Sequence, residues 1–450
     1  MIVLKFGGTS VSTKERIDTI CSIVQREQES QPIVVVSAIR GVTDLLLSLR
    51  SLSVLKQKEA LRELVRMHQD LAISCFGSVP QELQEYIDQC NGNIKRLLGR
   101  KKTTGALQDE IVSYGEMLSS FLISYAVQQS GVSSQQVVAT ELIATDGAFT
   151  NAEFLPGLTT KQSRKVLLPL LRKGIVPVVT GFIGRTRDGK TTTLGRGGSD
   201  YSAAILGFAI GASEIQIWTD VDGIYTSDPR SVPTAMRLQK VTYREASELA
   251  AFGAKVLHPR TILPAITAGI PVRVLNTLNP ESEGTRIIAT GEEHHRVSAI
   301  ASQKKVTLVN LYSTEMLHGR GFLVRIFTVF AKHAISVDLV SVSEVSVSVT
   351  LENTEDLKSA VAELSLFTAV TTREVGIVSL IGEGIVGVPH IMRNIFSVLD
   401  SAKIQVYMIS LGASDINISL AIPTKEVATA VRLLHDTILL SEISQERSYL

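Results

Sequence analysis

The sequence predicts an α/β fold: a large domain with a mostly parallel central sheet, followed by two small ferredoxin-like βαββαβ units. Two observations carry this. Up to about residue 290, short runs rich in Val and Ile alternate with longer stretches of helical spacing, the pattern of a sheet covered by helices. Beyond Asn279-Pro280 and the polar stretch 291–296, short strands and single helices follow in a repeated order. A chain of 450 residues is also too long for one ordinary core, which agrees with several domains.

In chain order, buried strands are expected at 2–6, 33–37, 137–143, 176–182, 215–219 and 272–276, where Val and Ile concentrate. Helices are expected at 11–25, 59–74, 81–98, 106–129 and 201–210. In the terminal part, strand 306–312, helix 321–332, strands 335–342 and 345–351, helix 354–364 and strand 368–372 spell one βαββαβ unit. A second pass runs through strand 376–381, helix 388–401, strands 405–411 and 416–422 and helix 425–437, and lacks its final strand. The strand-sized piece 297–301, just ahead of the first unit, is expected to complete the second, so that one unit is inserted into the other. The domains are then 1–290, 305–374, and 297–304 together with 375–450. Coordinates with 297–301 paired elsewhere would contradict the insertion.

Composition excludes several classes of function. Lys plus Arg total 45 against 44 Asp plus Glu, so there is no bulk positive field for nucleic acid. Cys21, Cys75 and Cys90 are odd in number and lack the paired spacing of zinc ligands, which reads as reduced thiols. His294 and His295 adjoin in a polar stretch without further spaced ligands, so no metal site is read there. The opening residues run straight into a strand with no secretory pattern, and no apolar run approaches the roughly 18 residues of a membrane span; a cytoplasmic location is the expectation.

Three segments carry chemistry. Lys5-Phe6-Gly7-Gly8-Thr9-Ser10-Val11 ends a strand in two glycines, with Thr and Ser as candidate N-caps for the helix at 11–25. It fits a phosphate cradle at a helix N-terminus with Lys5 as fixed charge, although a Gly-Gly after a strand is by itself more often a plain tight turn. Thr193-Leu194-Gly195-Arg196-Gly197-Gly198-Ser199-Asp200 is a second glycine-rich loop, here carrying an Arg whose planar fork suits a carboxylate or phosphate; a solvated surface loop is the alternative. The segment 218–230 follows a strand, and ligands of open α/β sheets sit beyond carboxyl ends, although Asp222-Gly223 and Asp228-Pro229 are also ordinary turn dipeptides. Residues 184–191 match the spacing of a Walker A loop, but Asp188-Gly189 flanked by Arg-Thr and Thr-Thr-Thr reads as a hairpin instead.

Taken together, these segments with Ser113-Tyr114-Gly115-Glu116 and Phe252-Gly253-Ala254-Lys255-Val256-Leu257-His258-Pro259 resemble aspartate kinase, of the amino-acid kinase superfamily. The terminal units resemble its paired regulatory ACT domains. The resemblance implies an amino-acid-kinase-type sandwich that transfers the γ-phosphoryl group of Mg-ATP to the side-chain carboxylate of L-aspartate. It implies no tightly bound cofactor, and a homodimer through the ACT domains or a tetramer. Carried over by motif, Lys5, Gly7 and Gly8 hold the transferring phosphates. Arg196 takes the α-carboxylate and Glu116 the ammonium group. Ser37, Thr43, Gly197, Gly198 and Ser199 complete the substrate set, and Asp200 orients the charged groups. Phe6, Thr219, Asp220, Tyr225, Arg230, Lys255 and Val256 line the ATP pocket.

In lysine-sensitive aspartate kinases the stretch matching Met316, Gly319, Phe322, Leu323, Ser336, Val337, Asp338, Ser343 and Glu344 binds the end product between ACT domains of two subunits. Gly319 departs from that pattern, which has a serine. A kinase acting on glutamate or N-acetylglutamate, and a catalytically dead amino-acid sensor, are the competing readings. The first disagrees with the Ser-Tyr-Gly-Glu and Gly-Arg-Gly-Gly-Ser-Asp motifs, the second with the retention of Lys5, Glu116, Arg196 and Asp200.

Overall fold

The computed structural model describes residues 1–450 except 101–103, 253–258, 290–296, 318, 353–354, 413 and 440–450. The chain divides into two compact units. The first comprises Met1–Ile224, Gln239–Tyr243 and Val256–Thr290; the second comprises Tyr225–Leu238, Arg244–Lys255 and Gly291–Leu450. Besides the segment that starts at Gly291, two earlier segments join the second unit. Their side chains explain this: Val232 is fully buried in a core with Val297 and Ile300. Thr226 and Ser227 bond to Ile300, and Ser298 Oγ donates to Glu245 at 2.5 Å.

The strands of the first unit are β1 (Ile2–Phe6), β2 (Pro32–Val36), β3 (Ser134–Val137), β4 (Ala144–Thr145), β5 (Val176–Thr180), β6 (Ile183–Thr186), β7 (Thr191–Thr193), β8 (Glu214–Thr219), β9 (Lys240–Thr242), β10 (Val272–Asn276) and β11 (Thr285–Ile288). Eight of them form one sheet in the order β3-β5-β2-β1-β8-β10-β11-β9. The run from β3 to β10 is parallel, and β1, β2 and β5 are buried along their whole length, which explains their unbroken apolar sequences. The chain leaves β1 towards β2 and later returns to its other side as β8. That reversal makes the carboxyl ends of these strands the natural place for a ligand.

The helix Gly105–Gln129 packs on β2, β3 and β5, the helices Val54–Phe76 and Gln81–Leu98 pack against it, and all three fall where helical spacing placed them. Residues 184–191 lie in the antiparallel β6–β7 hairpin, with Gly189 left-handed at φ 88°, so they are no phosphate loop. Two expectations need correction. The strand expected at 137–143 ends at Val137; a 3-10 turn follows, pinned where Thr180 Oγ1 accepts from Ala139 N at 2.7 Å, so the apolar run is buried without pairing. The helix expected at 11–25 starts at Lys14, because Ser10 N donates to Gly7 O at 2.9 Å and Ser12 Oγ bonds to Gly8 O, closing a turn instead.

The second unit is one antiparallel sheet of β12 (Ala299–Tyr312), β13 (Val340–Val342), β14 (Ser346–Leu351), β15 (Ala369–Ile381), β16 (Met408–Leu411) and β17 (Asn417–Ile422), ordered β13-β14-β12-β15-β17-β16. The long strands β12 and β15 are shared between two βαββαβ patterns. Ala299–Gln303 pairs with Ile377–Ile381, and past a bulge Val306–Tyr312 pairs with Ala369–Val375. The strands expected at 335–342 and 405–411 shrink to Val340–Val342 and Met408–Leu411. Upstream of Val340 the chain is held by single bonds such as Asp338 N to Thr350 O at 2.9 Å. Among the described residues no helix is long and apolar enough to cross a membrane.

Candidate active site

A cleft of about 540 Å³ opens in the first unit, lined by Lys5, Ser37, Thr43, Glu116, Phe182 and the whole segment Gly195–Asp200, among others. Every residue assigned to the substrate in the sequence analysis is on this wall. The elements explain why. Lys5 stands on β1 between Val35 of β2 and Ile217 of β8, one residue before the strand ends. Gly195 and Gly197 are left-handed at φ 76° and 70°, a conformation that favours glycine, and they turn the chain directly into the helix Gly198–Ile210. Ser199 and Asp200 thus occupy its first turn, where an acidic group suits the helix dipole.

Lys5 Nζ and Asp200 Oδ1 are 2.6 Å apart, with side chains only 11% and 16% exposed. This pair joins the central strand to the helix N-terminus. On the opposite wall, Glu116 comes from the helix Gly105–Gln129. Its Oε1 accepts from Ala38 N at 3.3 Å, and its Oε2 is buried with no partner. Burial pushes the Glu116 carboxyl up to about 8. Gly115 beside it is needed for contact: a Cβ there would sit 3.0–3.2 Å from Ala38, Val42 and Leu46. Arg196 is exposed, and its guanidinium makes no ion pair or hydrogen bond among the described residues.

The nucleotide set is only partly assembled. Gly7 and Gly8 form the turn after β1, but the Phe6 ring is fully buried and stacks on Trp218 at 6.0 Å, leaving only its backbone for a ligand. Trp218 is likewise core. Thr219 and Asp220 lie at the carboxyl end of β8, beside Thr277, whose Oγ1 is 2.8 Å from Ser10 Oγ. Tyr225 and Arg230 belong to the second unit, where Arg230 pairs with Asp228 at 2.9 Å. Lys255 and Val256 lie outside the described residues. No group of three or more His, Cys, Asp or Glu suited to a metal occurs among the described residues, and His294 and His295 also fall outside them.

Sequence reasoning missed Phe182, Asp109 and Thr150 on the cleft wall and gave Thr193 no role beyond opening its loop. Phe182 is left-handed at φ 69°, held by Ser202 Oγ on its N–H at 2.9 Å and by Leu194 N on its carbonyl. No motif signals this. Asp109 had a signal: it is an acid seven residues before Glu116 on a mostly apolar helix.

The residues expected to bind an effector lie in the second unit. Met316, Phe322 and Leu323 flank the start of the helix Phe322–Lys332, and Ser343 and Glu344 sit at the β13–β14 turn, tied to that end by Ser313 N donating to Val345 O at 2.9 Å. Ser336, Val337 and Asp338 lie at the other end of β13. A Cβ at Gly319 would come 2.2 Å from Glu315 O, so this loop as folded excludes the serine.

The amino acid kinase family profile matches residues 1–276, and an ACT domain profile matches 378–438. The chain is 37% identical over 450 residues to lysine-sensitive aspartokinase 3 of Escherichia coli (strain K12), across 97% of this chain and 99% of that one. It is 36% identical to chloroplastic aspartokinase 2 of Arabidopsis thaliana, across 96% and 83%. Among solved structures, E. coli aspartokinase III in complex with lysine and aspartate (T-state) gives a TM-score of 0.87 at 37% identity, covering 97% and 99%. The same E. coli enzyme in complex with aspartate and ADP (R-state) gives 0.82 at 36%, covering 98% and 100%. With both halves of the fold matched along nearly the full length, the chain belongs to the amino acid kinase family and, within it, to the aspartokinases.

Proposed function

We propose that this aspartokinase transfers the γ-phosphoryl group of ATP to the side-chain carboxylate of L-aspartate, giving 4-phospho-L-aspartate and ADP, the entry step to the aspartate-family amino acids. The observation that carries this is the cleft itself: a buried carboxylate with a free oxygen, Glu116, shares it with an unpaired guanidinium, Arg196, and with the Lys5–Asp200 pair. Glu116 and Arg196 are suited to the ammonium and α-carboxylate of an amino acid. Lys5 and the N–H groups opening the helix Gly198–Ile210 suit the transferring phosphoryl group. The description of the E. coli R-state structure as a complex with aspartate and ADP supports ATP as donor.

The chemistry asks little of the side chains beyond placement. The aspartate side chain, with a reference pKa of about 3.9, is already ionised, so its oxygen attacks phosphorus without a general base. The P–O bond to the β-phosphate breaks and ADP departs, and no proton need move. Two anions must be held together while charge shifts between them, which is the task of Lys5, Arg196 and the helix N-terminus. Mg2+ supplies further charge neutralisation when bound. With no dedicated ligand cluster among the described residues, the nucleotide phosphates would provide most of its coordination. Ser37 and Thr43 line the same cleft and suit hydrogen bonds to the substrate, while Thr219 and Asp220, at the end of β8, suit the nucleotide.

We further propose a cytoplasmic homodimer inhibited by lysine, a reading supported by the lysine-sensitive E. coli relative. Val340 and Val342 of the edge strand β13 are 39% and 51% exposed. Antiparallel pairing of this strand with a second copy would bring Ser336–Asp338 of one chain to the Met316–Leu323 end of the other. Residues that lie apart in one chain would then form one site.

Three outcomes test these assignments. Lys5→Ala is expected to keep the wild-type circular dichroism spectrum and lose about a hundredfold to a thousandfold in kcat, whereas a nearly active variant would remove the role of Lys5. Free Glu116 keeps its proton up to about pH 8, while in the unfolded chain it ionises near 4.5, so its contribution to stability falls as pH rises between these values. Denaturation midpoints should therefore shift in favour of Glu116→Gln by on the order of 3 kcal/mol from pH 5 to pH 9, with aspartate binding lost; a pH-independent difference would contradict the buried, protonated state. Asp338→Asn should weaken lysine inhibition about tenfold with kcat within about twofold, and unchanged inhibition would place the effector elsewhere.

A further inference from the structure

Asp109 has no part in the assignments above, yet it is one of the most completely enclosed carboxylates on the cleft wall, at 1% exposure. Its Oδ2 accepts from Thr150 N at 2.8 Å and Thr193 N at 2.9 Å, and its Oδ1 accepts from Thr193 Oγ1 at 2.9 Å. No cation pairs with it among the described residues, and burial pushes its carboxyl pKa up. A buried carboxylate without a cation is costly, and three donors offset only part of that cost.

What those donors belong to gives the group its purpose. Thr193 closes β7 immediately before the Arg196 turn, in which the left-handed Gly195 and Gly197 leave the backbone little stiffness of its own. Thr150 is itself left-handed at φ 72°, a strained state for a threonine that persists only where its surroundings impose it. Its neighbour Asn151 packs so closely on Gly195 that a Cβ there would fall 2.4 Å from its Oδ1. Asp109 thus clamps both loops that frame Arg196. It does so from the helix that carries Glu116, with Asp109, Val112 and Glu116 on one face and two turns, about 10.5 Å, between the acids.

The geometry points to Asp109 as a positioning residue: it locks the Arg196 loop to the Glu116 helix, so that the groups receiving the two ends of the amino acid keep a fixed separation. This rests on the substrate roles proposed for Arg196 and Glu116. Asp109→Leu removes both acceptor oxygens, and with them all three hydrogen bonds, at similar volume. Asp109→Asn can keep them, its oxygen accepting both amides and its amide donating to Thr193 Oγ1.

The test is steady-state kinetics of the full-length enzyme for Asp109→Leu, Asp109→Asn, Thr193→Val, Arg196→Ala and the double variant Asp109→Leu/Arg196→Ala. Asp109→Leu should raise KM for aspartate about tenfold or more with KM for ATP within about twofold, and Asp109→Asn should recover most of the loss. The double variant should be no worse than Arg196→Ala alone, because the lock has nothing left to hold. Equal rises in both KM values, or effects that multiply in the double variant, would overturn the inference. Should Asp109→Leu fail to fold, Thr193→Val, which loses only the hydroxyl bond, is expected to raise the aspartate KM about threefold, and an unchanged value would overturn it. An Arg196→Ala enzyme with wild-type aspartate KM would instead sink the substrate reading on which the inference stands, so the two failures are distinguishable.

Discussion

The ion pair between Lys5 and Asp200 organises the catalytic half of this molecule. One partner is delivered by the central strand of the parallel sheet, the other by the first turn of a helix that begins inside a glycine-rich loop. A lysine this enclosed needs an anion, and the carboxyl edge of the sheet offers Asp200 until a more highly charged ligand arrives. Sheet order, loop and helix start together hold this cation on the wall of the cleft.

The cleft is built from unequal materials. Lys5 and Asp200 set opposite charges against each other, whereas Glu116 is held with one oxygen unpartnered, no cation beside it and its proton retained. An ammonium group entering the cleft would favour the ionised carboxylate, its proton leaving to solvent, and would supply the missing partner. The positive-φ backbones of Phe182 and Thr150 line the same cleft.

Much of this was legible in the sequence, for physical reasons that differ from element to element. Strands β1, β2, β5, β8 and β10 are paired on both sides and so carry the Val and Ile runs that reveal them. The run at 137–143 misled because burial without pairing leaves the same composition. The turn after β1 misled because Ser10 and Ser12 bond backward to the glycines rather than capping a helix. In the site, Lys5, Glu116, Arg196 and Asp200 sit in motifs whose residue types already announce charge and backbone freedom. Phe182 and Thr150 could not be read, since nothing in a non-glycine residue announces a positive φ. Asp109 could have been, from an acid set on an apolar helix face two turns before another. In the second unit the strand segments 335–339 and 405–407 look extended in sequence, but at a sheet edge only part of such a run finds a partner.

The central claim, that the cleft accepts the zwitterion of aspartate and phosphorylates its side chain, is tested most directly by trapping the acyl phosphate with hydroxylamine in the presence of ATP and, in turn, L-aspartate, L-glutamate and N-acetylglutamate. The account predicts hydroxamate with L-aspartate and little with the other two, because a blocked ammonium cannot meet Glu116 and a longer side chain overshoots the phosphoryl group. Product with N-acetylglutamate or glutamate but none with aspartate, from folded protein that binds Mg-ATP, would contradict it.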